Sequence, residues 1–209
     1  LFEVNHMKYS IIITFYKNID MLWFCIHALM ETICRHRDVE VVVVNDNPTL
    51  NLKAELERKE FSTPIKTIQN AQNRGHSGAC KVGVDNSRGE YLIFLDCDII
   101  VASGWIEELE KTFFKHSDCG AAMSTILDLS NDQIVYAGME LYKSESIKPF
   151  QGAYCEHPFL MQDHISQIVT AGCMMVRRTT FEDVEGFDER FFNSCNDLDF
   201  SMKLNAANY

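Results

Sequence analysis

Two aspartates one residue apart, Asp96 and Asp98, follow a run of apolar residues in the sequence YLIFLDCDII at positions 91–100. Two ionised carboxylates this close repel each other, and burying either one without a partner costs free energy. A loop that exposes both side chains to solvent is one interpretation. The other is a cation site, because carboxylate oxygens suit Mg²⁺ or Mn²⁺ beside a substrate phosphate. The position after an apolar strand favours the cation site.

A loop with the sequence NRGHSG, at residues 73–78, precedes that strand. It does not match GxGxxG and has no Walker lysine, so it does not indicate a dinucleotide site. One interpretation is a glycine-containing turn that leads into a helix. In the other, Arg74 and Lys81 face an anionic ligand.

A second pair of carboxylates, Asp197 and Asp199, occurs in the sequence NDLD near the end of the chain. One interpretation is that they cap the last helix, because carboxylates near a helix N-terminus complement its dipole. The other is that one of them is a general base, which must lie near the hydroxyl that it deprotonates.

Apolar segments that are typical of strands alternate with amphipathic segments that are typical of helices. Strands are predicted at 9–15, 39–44, 64–69 and 91–95, and helices at 19–33, about 50–60, 77–87 and 104–116. This alternation predicts an α/β domain with a mostly parallel central sheet and helices on both faces. Ligands of such sheets bind beyond the carboxyl ends of the strands. Those ends carry Thr14, Asp46 and Asp96.

The second half of the chain has a less regular pattern. A strand is predicted at 119–125, and the irregular residues 126–168 are interpreted as an insertion or flap over the sheet. The sequence TTFE at 179–182 fits a capping box that opens a short helix. Because the sequence stops abruptly at Tyr209, we expect a C-terminal portion to be missing.

One domain is predicted, preceded by an extension or cloning remnant at residues 1–8. Within the domain, residues 9–100 form the predicted nucleotide-binding half. Residues 101–209 form the predicted acceptor and catalytic half.

The composition narrows the class of protein further. The net charge of −11 argues against a nucleic-acid partner, since nucleic-acid binders usually carry a basic patch. None of the apolar runs is as long as the roughly 18 residues that mark a membrane span. The eight cysteines show no CxxC pair and no metal-ligand spacing, so we interpret them as reduced core thiols of a cytosolic protein.

Four motifs in this order resemble the family 2 glycosyltransferases with the GT-A fold, over residues 9–203. The motifs are SIIITFYKN, VVVVNDNP, NRGHSGACKVGVDNSRGEYLIFLDCDI and AGCMMVRRTTFEDVEGFDERFFNSCNDLD. The segment DQIVYAG at 132–138 resembles the branch that contains rhamnosyltransferases and other polysaccharide-building transferases.

The resemblance implies an enzyme that moves a sugar, with inversion, from a UDP-, GDP- or dTDP-sugar to a hydroxyl group of a glycan or lipid-linked glycan. It implies a Mg²⁺ or Mn²⁺ cofactor. The cysteines predict a cytoplasmic location. Because polysaccharide-building relatives work beside the membrane, its inner face is the alternative location.

Site residues carry over from the family position by position. Those that match the family's donor-binding positions are Thr14, Phe15 and Asp46 for the nucleobase, Asn73, Arg74, Gly75 and Lys81 beside the nucleotide, and Asp96 and Cys97 at the strand end. The metal ligands implied are Asp96 and Asp98, and the catalytic base implied is Asp197. Gly172 and Cys173 match a stretch that lines the acceptor side.

One departure concerns the residue before the base, which is commonly Glu in the family and is Asn196 here. A neutral neighbour removes a like charge, so Asp197 would be less basic. Two other functions stay open. One is a nucleotide-sugar-binding module without catalysis. The other is a haloacid-dehalogenase-type phosphatase, although that family has Thr close after its second Asp and this chain has Ile99 and Ile100.

Overall fold

The structure is a computed structural model, and it describes residues 7–141, 147–149 and 164–209. Within these ranges, side chains are described for every residue except 140–141 and 147–149. Most of the predicted N-terminal extension, much of the predicted flap and Cys155 therefore lie outside the described residues.

Ten strands and six helices are formed by the described residues. The strands are β1 (Tyr9–Phe15), β2 (Val39–Asn45), β3 (Ile65–Gln69), β4 (Tyr91–Asp96), β5 (Ala121–Met123), β6 (Ile126–Leu127), β7 (Ile134–Tyr136), β8 (Met139–Leu141), β9 (Ile147–Pro149) and β10 (Cys173–Arg177). The helices are α1 (Ile19–Ile33), α2 (Leu52–Glu57), α3 (Gly75–Asp85), α4 (Trp105–Lys115), α5 (Arg178–Asp183) and α6 (Asn196–Ala206).

A six-stranded sheet with the order β3-β2-β1-β4-β10-β5 forms the centre of the molecule. The first four strands pair in parallel, and β10 pairs antiparallel with both of its neighbours. The central strands are apolar along their length because both faces are covered. The prediction of a mostly parallel α/β sheet is confirmed.

Two apolar clusters cover opposite faces of this sheet. Ile11 and Ile13 of β1 belong to one cluster, which also contains buried residues of α1 and α4. Ile12, which lies between them in the strand, belongs to the second cluster, and this cluster contains residues of α3, α5 and α6. This alternation along the strand places helices on both faces, as the sequence predicted.

Several element bounds differ from the prediction. Helix α3 begins two residues early, at Gly75, and β5 is limited to Ala121–Met123. The predicted capping box is wrong, because α5 begins at Arg178 and its N-cap residue Arg177 makes no side-chain cap hydrogen bond. Strand β10 continues to Arg177 and runs directly into the helix, so Thr179 falls inside the first turn.

Some described residues after β5 form strands where the sequence indicated an irregular stretch. Strands β6 and β7 form one antiparallel pair, and β8 and β9 form another. Its role as an insertion over the sheet stays a prediction. Among the described residues, no helix combines the length and the apolar character that crossing a membrane requires.

The cysteines are only partly core residues. Seven cysteines are described, and all of them are free thiols. Cys25, Cys80 and Cys173 are buried, whereas Cys34 and Cys195 are exposed.

Candidate functional site

A cavity of about 320 Å³ opens where β1, β2 and β4 end. Parallel strands deliver their carboxyl ends to one edge of the sheet, and ligands of α/β proteins bind there. The predicted site residues that line this cavity are Thr14, Phe15, Asp46, Asn73, Asp96, Cys97 and Asp98. The structure thus brings together residues that are up to 84 positions apart, from Thr14 to Asp98.

Asp46 stabilises the loop that leads to α3. Its side chain is almost fully buried, at 4% exposure. The carboxylate accepts hydrogen bonds from the Arg74 backbone N–H at 2.9 Å and from Asn70 Nδ2 at 2.8 Å. Hydrogen bonds to an ionised acceptor are stronger than neutral ones. Asp46 therefore fixes the position of residues 70–74, in addition to lining the cavity.

Arg74 and Lys81 do not line the cavity. Arg74 Nη2 lies 2.9 and 2.8 Å from the two carboxylate oxygens of Glu189, and Lys81 Nζ lies 3.7 Å from the same carboxylate. The anionic partner of both cations in this structure is the protein's own Glu189.

Gly75 also lies outside the cavity lining. It has φ +70°, which favours glycine, and an added Cβ would overlap the Phe192 carbonyl oxygen and lie 2.7 Å from the Phe192 ring. The residue that precedes His76 is therefore a glycine because the 186–195 segment packs directly against it.

Asp96 is the last residue of β4, and one of its carboxylate oxygens contacts His76. Oδ1 lies 3.2 Å from His76 Nε2. Oδ2 lies on the side of Gly172, where an added Cβ would come within 3.4 Å of it. Asp98 is exposed in the turn that follows. The two carboxylates therefore have different surroundings: Asp96 contacts His76, and Asp98 is exposed to solvent.

His76 is a site residue that the sequence reasoning did not single out. Its Nδ1 lies 3.0 Å from Asn196 Nδ2, and the Cys80 sulfur lies 3.6 Å from its Nε2. Cys80 and Asp96 raise the pKa of His76, against an opposing effect of burial. The available signal was its place in the NRGHSG loop, which enters a helix at the predicted ligand edge.

Asp197 lies in the first turn of α6, next to the buried Asn196. Cys195, at the N-cap, has φ +63°, an uncommon conformation for a residue with a Cβ. The Asp197 Oδ1 accepts a hydrogen bond from the Leu198 N–H at 2.8 Å. Asp197 is not part of the cavity lining, but its neighbour Asn196 contacts His76, which contacts Asp96.

Tyr136 of β7 lies within electrostatic range of Asp197. Its hydroxyl is buried and has no hydrogen-bond partner among the described residues. Burial and the negative charge of Asp197 raise the pKa of this hydroxyl. The β6–β7 hairpin therefore contributes one side of the surroundings of Asp197.

The two residues expected on the acceptor side have different surroundings. The Gly172 carbonyl accepts a hydrogen bond from the Asp96 N–H at 2.9 Å, so Gly172 belongs to the Asp96 side of the site. Cys173 is buried, with its thiol 3.5 Å from Ser124 Oγ. Ser124 lines a larger cavity of about 650 Å³ that extends along β5 and α6.

The sequence profile described as Glycosyl transferase family 2 matches residues 10–185. The chain belongs to this family. Among curated relatives, the O-antigen biosynthesis protein RfbC of Myxococcus xanthus is 26% identical over 95% of this chain and 16% of its own length. An uncharacterized glycosyltransferase of Methanocaldococcus jannaschii is 26% identical over 83% of this chain and 56% of its own. The chain thus spans a sixth to about half of these relatives.

Solved structures show the GT-A fold for this family 2 glycosyltransferase chain. A crystal structure of GalNAc-T7 with UDP, GalNAc and Mn²⁺ superimposes with a TM-score of 0.72 at 18% identity, covering 97% of this chain and 41% of that one. The mannosyltransferase PcManGT of Pyrobaculum calidifontis, in complex with GDP-Man and Mn²⁺, gives 0.70 at 14% identity, covering 98% and 53%. The predicted fold and family are confirmed.

The donor atoms at the end of β4 fit a divalent cation. Among the described residues, no three His, Cys, Asp or Glu side chains form a group that could enclose a metal ion. Mg²⁺ does not require such a group, because it binds through one or two carboxylates together with substrate phosphates. Asp96 and Asp98 provide two carboxylates beside a cavity, which is this kind of donor set.

Proposed function

We propose that this family 2 glycosyltransferase moves a sugar from a nucleoside-diphosphate sugar to a hydroxyl acceptor with inversion, in the synthesis of a polysaccharide or cell-surface glycan. The observation that carries the proposal is the connection between two parts of the site. Asp96, at the cavity, is joined through His76 to Asn196, which precedes the Asp197 carboxylate.

The donor would bind in the 320 Å³ cavity at the strand ends. Thr14, Phe15 and Asp46 lie at the ends of β1 and β2 and would contact the nucleobase. The names of the relatives support this donor class, since the solved structures include complexes with UDP and with GDP-Man. Titration with UDP, GDP and dTDP distinguishes between the three possible nucleobases of the donor.

Asp96 and Asp98 would hold a Mg²⁺ or Mn²⁺ ion together with the diphosphate. When bound, such an ion stabilises the negative charge that develops on the leaving diphosphate. Asp98 is exposed and can turn toward a ligand, whereas His76 holds Asp96 in one orientation. Cys97 lies between them and lines the same cavity.

Asp197 would act as the general base. Its carboxylate takes the proton of the acceptor hydroxyl while that oxygen forms a bond to the anomeric carbon, and the bond from this carbon to the diphosphate breaks. Attack from the face opposite the leaving group inverts the anomeric carbon, as in an inverting glycosidase with an acceptor in place of water. Asn196 beside it is neutral, so it adds no like charge to the base.

Arg74 and Lys81 have a different role in this proposal from the one that the family resemblance implied. Both cations pair with Glu189, in the segment that precedes α6. We infer that they hold this segment against α3, and that the donor phosphates are bound by the metal site.

A calorimetric titration tests donor binding directly. UDP, GDP and dTDP are titrated into the chain with and without Mn²⁺, and one of them should bind in a manganese-dependent way. Asp98→Asn should reduce that dependence, whereas Asp85→Asn, at an exposed position of α3, should not. If Mn²⁺ changed the nucleotide affinity in none of the three titrations, the metal assignment would be contradicted.

An assay of sugar release or transfer from the matching donor then separates catalysis from binding. Manganese-dependent binding with no turnover would favour a donor-binding module over an enzyme. Phosphate release from a phosphomonoester in the absence of a sugar nucleotide would favour a phosphatase.

A further inference from the structure

We infer that His76 is a positioning residue that fixes the orientation of the Asp96 carboxylate and the first turn of α6 at the same time. Its catalytic consequences rest on the proposed function, in which Asp96 faces the donor and Asp197 is the base. The two contacts themselves are properties of the folded chain and can be tested without any donor.

The geometry of the imidazole suits this role. Nε2 lies 3.2 Å from Asp96 Oδ1, and Nδ1 lies 3.0 Å from Asn196 Nδ2. A planar ring holds its two nitrogens at a fixed separation, so one side chain connects the end of β4 with the start of α6. Packing on the Phe187 ring, with centroids 6.4 Å apart, further limits how His76 turns.

The backbone around His76 is anchored as well. The His76 N–H donates to Asn193 Oδ1 at 3.1 Å, and the adjacent Ser77 hydroxyl donates to the Phe191 carbonyl. The 186–195 segment therefore rests on the first turn of α3. Of the residues named in these contacts, His76 is the one whose side chain also contacts Asp96.

The N-cap residue of α6 does not cap the helix with its side chain. This residue, Cys195, is exposed and makes no side-chain cap hydrogen bond. Asn196 is 5% exposed, and its amide reaches His76 across the interface. A contact made by another element therefore helps to orient this turn, which carries Asp197.

The orientation of the Asp96 carboxylate is set by a contact with another element as well. A carboxylate at a strand end rotates easily, and a partner that holds one oxygen determines where the other points. Residues that orient ligating carboxylates in this way are worth about 10–100-fold in metal affinity or activity. His76 is in a position to supply such an effect to Asp96.

Two isosteric variants separate the two contacts. In His76→Gln the terminal amide reaches the position of Nε2, so the Asp96 contact is kept and the Asn196 contact is lost. In His76→Asn the amide reaches the position of Nδ1, so the outcome is reversed. His76→Phe removes both contacts and keeps a ring of similar size.

The variants are compared by manganese-dependent nucleotide affinity and by kcat. His76→Asn should weaken the manganese-dependent affinity about 10–100-fold and change kcat less. His76→Gln should keep that affinity and lower kcat, and His76→Phe should show both losses. Equal losses in His76→Gln and His76→Asn would overturn the inference, because a merely structural residue does not separate the two readouts.

A ligand-free measurement checks the contacts independently of activity. Urea midpoints are determined for His76→Gln, Asn196→Ala and the double variant. Because both single changes remove the same contact, their effects should not add. With His76→Asn in place of His76→Gln, the effects should add, which provides the matched control.

The two parts of the experiment distinguish the inference from the proposed function. Additive midpoints for His76→Gln and Asn196→Ala in a chain that binds nucleotide would overturn the inference alone. A chain that shows the non-additive cycle but binds no nucleotide with Mn²⁺ would overturn the proposed function and, with it, the catalytic half of the inference.

Discussion

The two sides of the candidate site are held in place by different means. On the proposed donor side, the site residues lie at the ends of strands that are fixed by a continuous ladder: Thr14 is paired with Asp96, and Phe15 with Asn45. On the base side, Asp197 follows a segment, residues 186–195, that is attached to α3 through individual contacts. Those contacts include Arg74 with Glu189 and His76 with Asn193.

The two sides are therefore sensitive to different substitutions. A backbone ladder buried between two helix layers does not depend on any one side chain. A segment attached by a few partly exposed side chains does, and Arg74 and Glu189 are each about one third exposed. Changes that weaken these attachments of the 186–195 segment should therefore disturb the base side more than the donor side, although Arg74 and Lys81 lie in the predicted nucleotide-binding half.

The largest expected effect is that of Asp197→Asn on transfer. Removing a general base lowers the rate by about 10²–10⁴-fold. Nucleotide affinity should stay close to that of the unmodified chain, because the residue does not line the donor cavity. Steady-state kinetics and calorimetry on the same preparation measure the two quantities.

Asp199→Asn is the matched control, since Asp199 lies in the same helical turn and pairs with Lys203 at 2.8 Å. It removes the same charge two residues away and should leave transfer nearly unchanged. If the two variants lost activity to the same extent, the charge of the helix terminus would be responsible and Asp197 would not be the base.

Gly75→Ala should have the next largest effect and should act on the base side. Left-handed backbone costs an alanine about 1–2 kcal/mol, and the overlap with Phe192 adds about 1–3 kcal/mol. Urea denaturation should therefore show a loss of about 2–5 kcal/mol in the free energy of unfolding.

Gly104→Ala separates strain from overlap. Gly104 has φ +83°, and an added Cβ there has no heavy atom within 4 Å. It should show the backbone cost alone. Equal losses at both glycines would mean that the 186–195 segment moves aside at little cost, and the base side would then be less dependent on this contact than we argue.

The same contrast explains which features the sequence could predict. Strand ends are local: an apolar run that stops at polar residues is visible in one stretch of ten residues, and parallel pairing brings such ends together. Thr14, Asp46 and Asp96 were found in this way. The family resemblance added Asp197 as a position in a motif, not as a place in space.

Contacts between distant segments leave no such local pattern. Arg74 was expected beside an anion, and it has one, but the carboxylate belongs to Glu189, 115 residues later. His76 has no periodic or motif signal that points to both Asp96 and Asn196. Similarly, the TTFE sequence fits a capping box by composition, but the strand that precedes it continues too far for Thr179 to be the cap.

Asp46→Asn tests whether Asp46 serves the fold, the ligand or both. The charged acceptor for the Arg74 N–H and for Asn70 is lost, which should cost about 1.5–3 kcal/mol of stability. If Asp46 also contacts the nucleobase, the affinity should fall for one of UDP, GDP and dTDP more than for the others. Asp85→Asn controls for the loss of one surface charge.

A stability loss with an equal affinity change for all three nucleotides would show that Asp46 acts through the 70–74 loop. An affinity loss without any stability loss would contradict the structural role that its hydrogen bonds indicate.

The smallest expected effect is that of Glu189→Gln. Partly exposed ion pairs contribute up to about 1 kcal/mol, and salt screens them. Glu55→Gln, which breaks an exposed pair with Arg58 at the C-terminal end of α2, should cost less. Because Glu189 connects α3 to the segment that leads to Asp197, its loss should lower kcat while the manganese-dependent nucleotide affinity stays unchanged. An equal loss of affinity would mean that the donor side depends on the same contacts as the base side, and the distinction between the two sides would not hold.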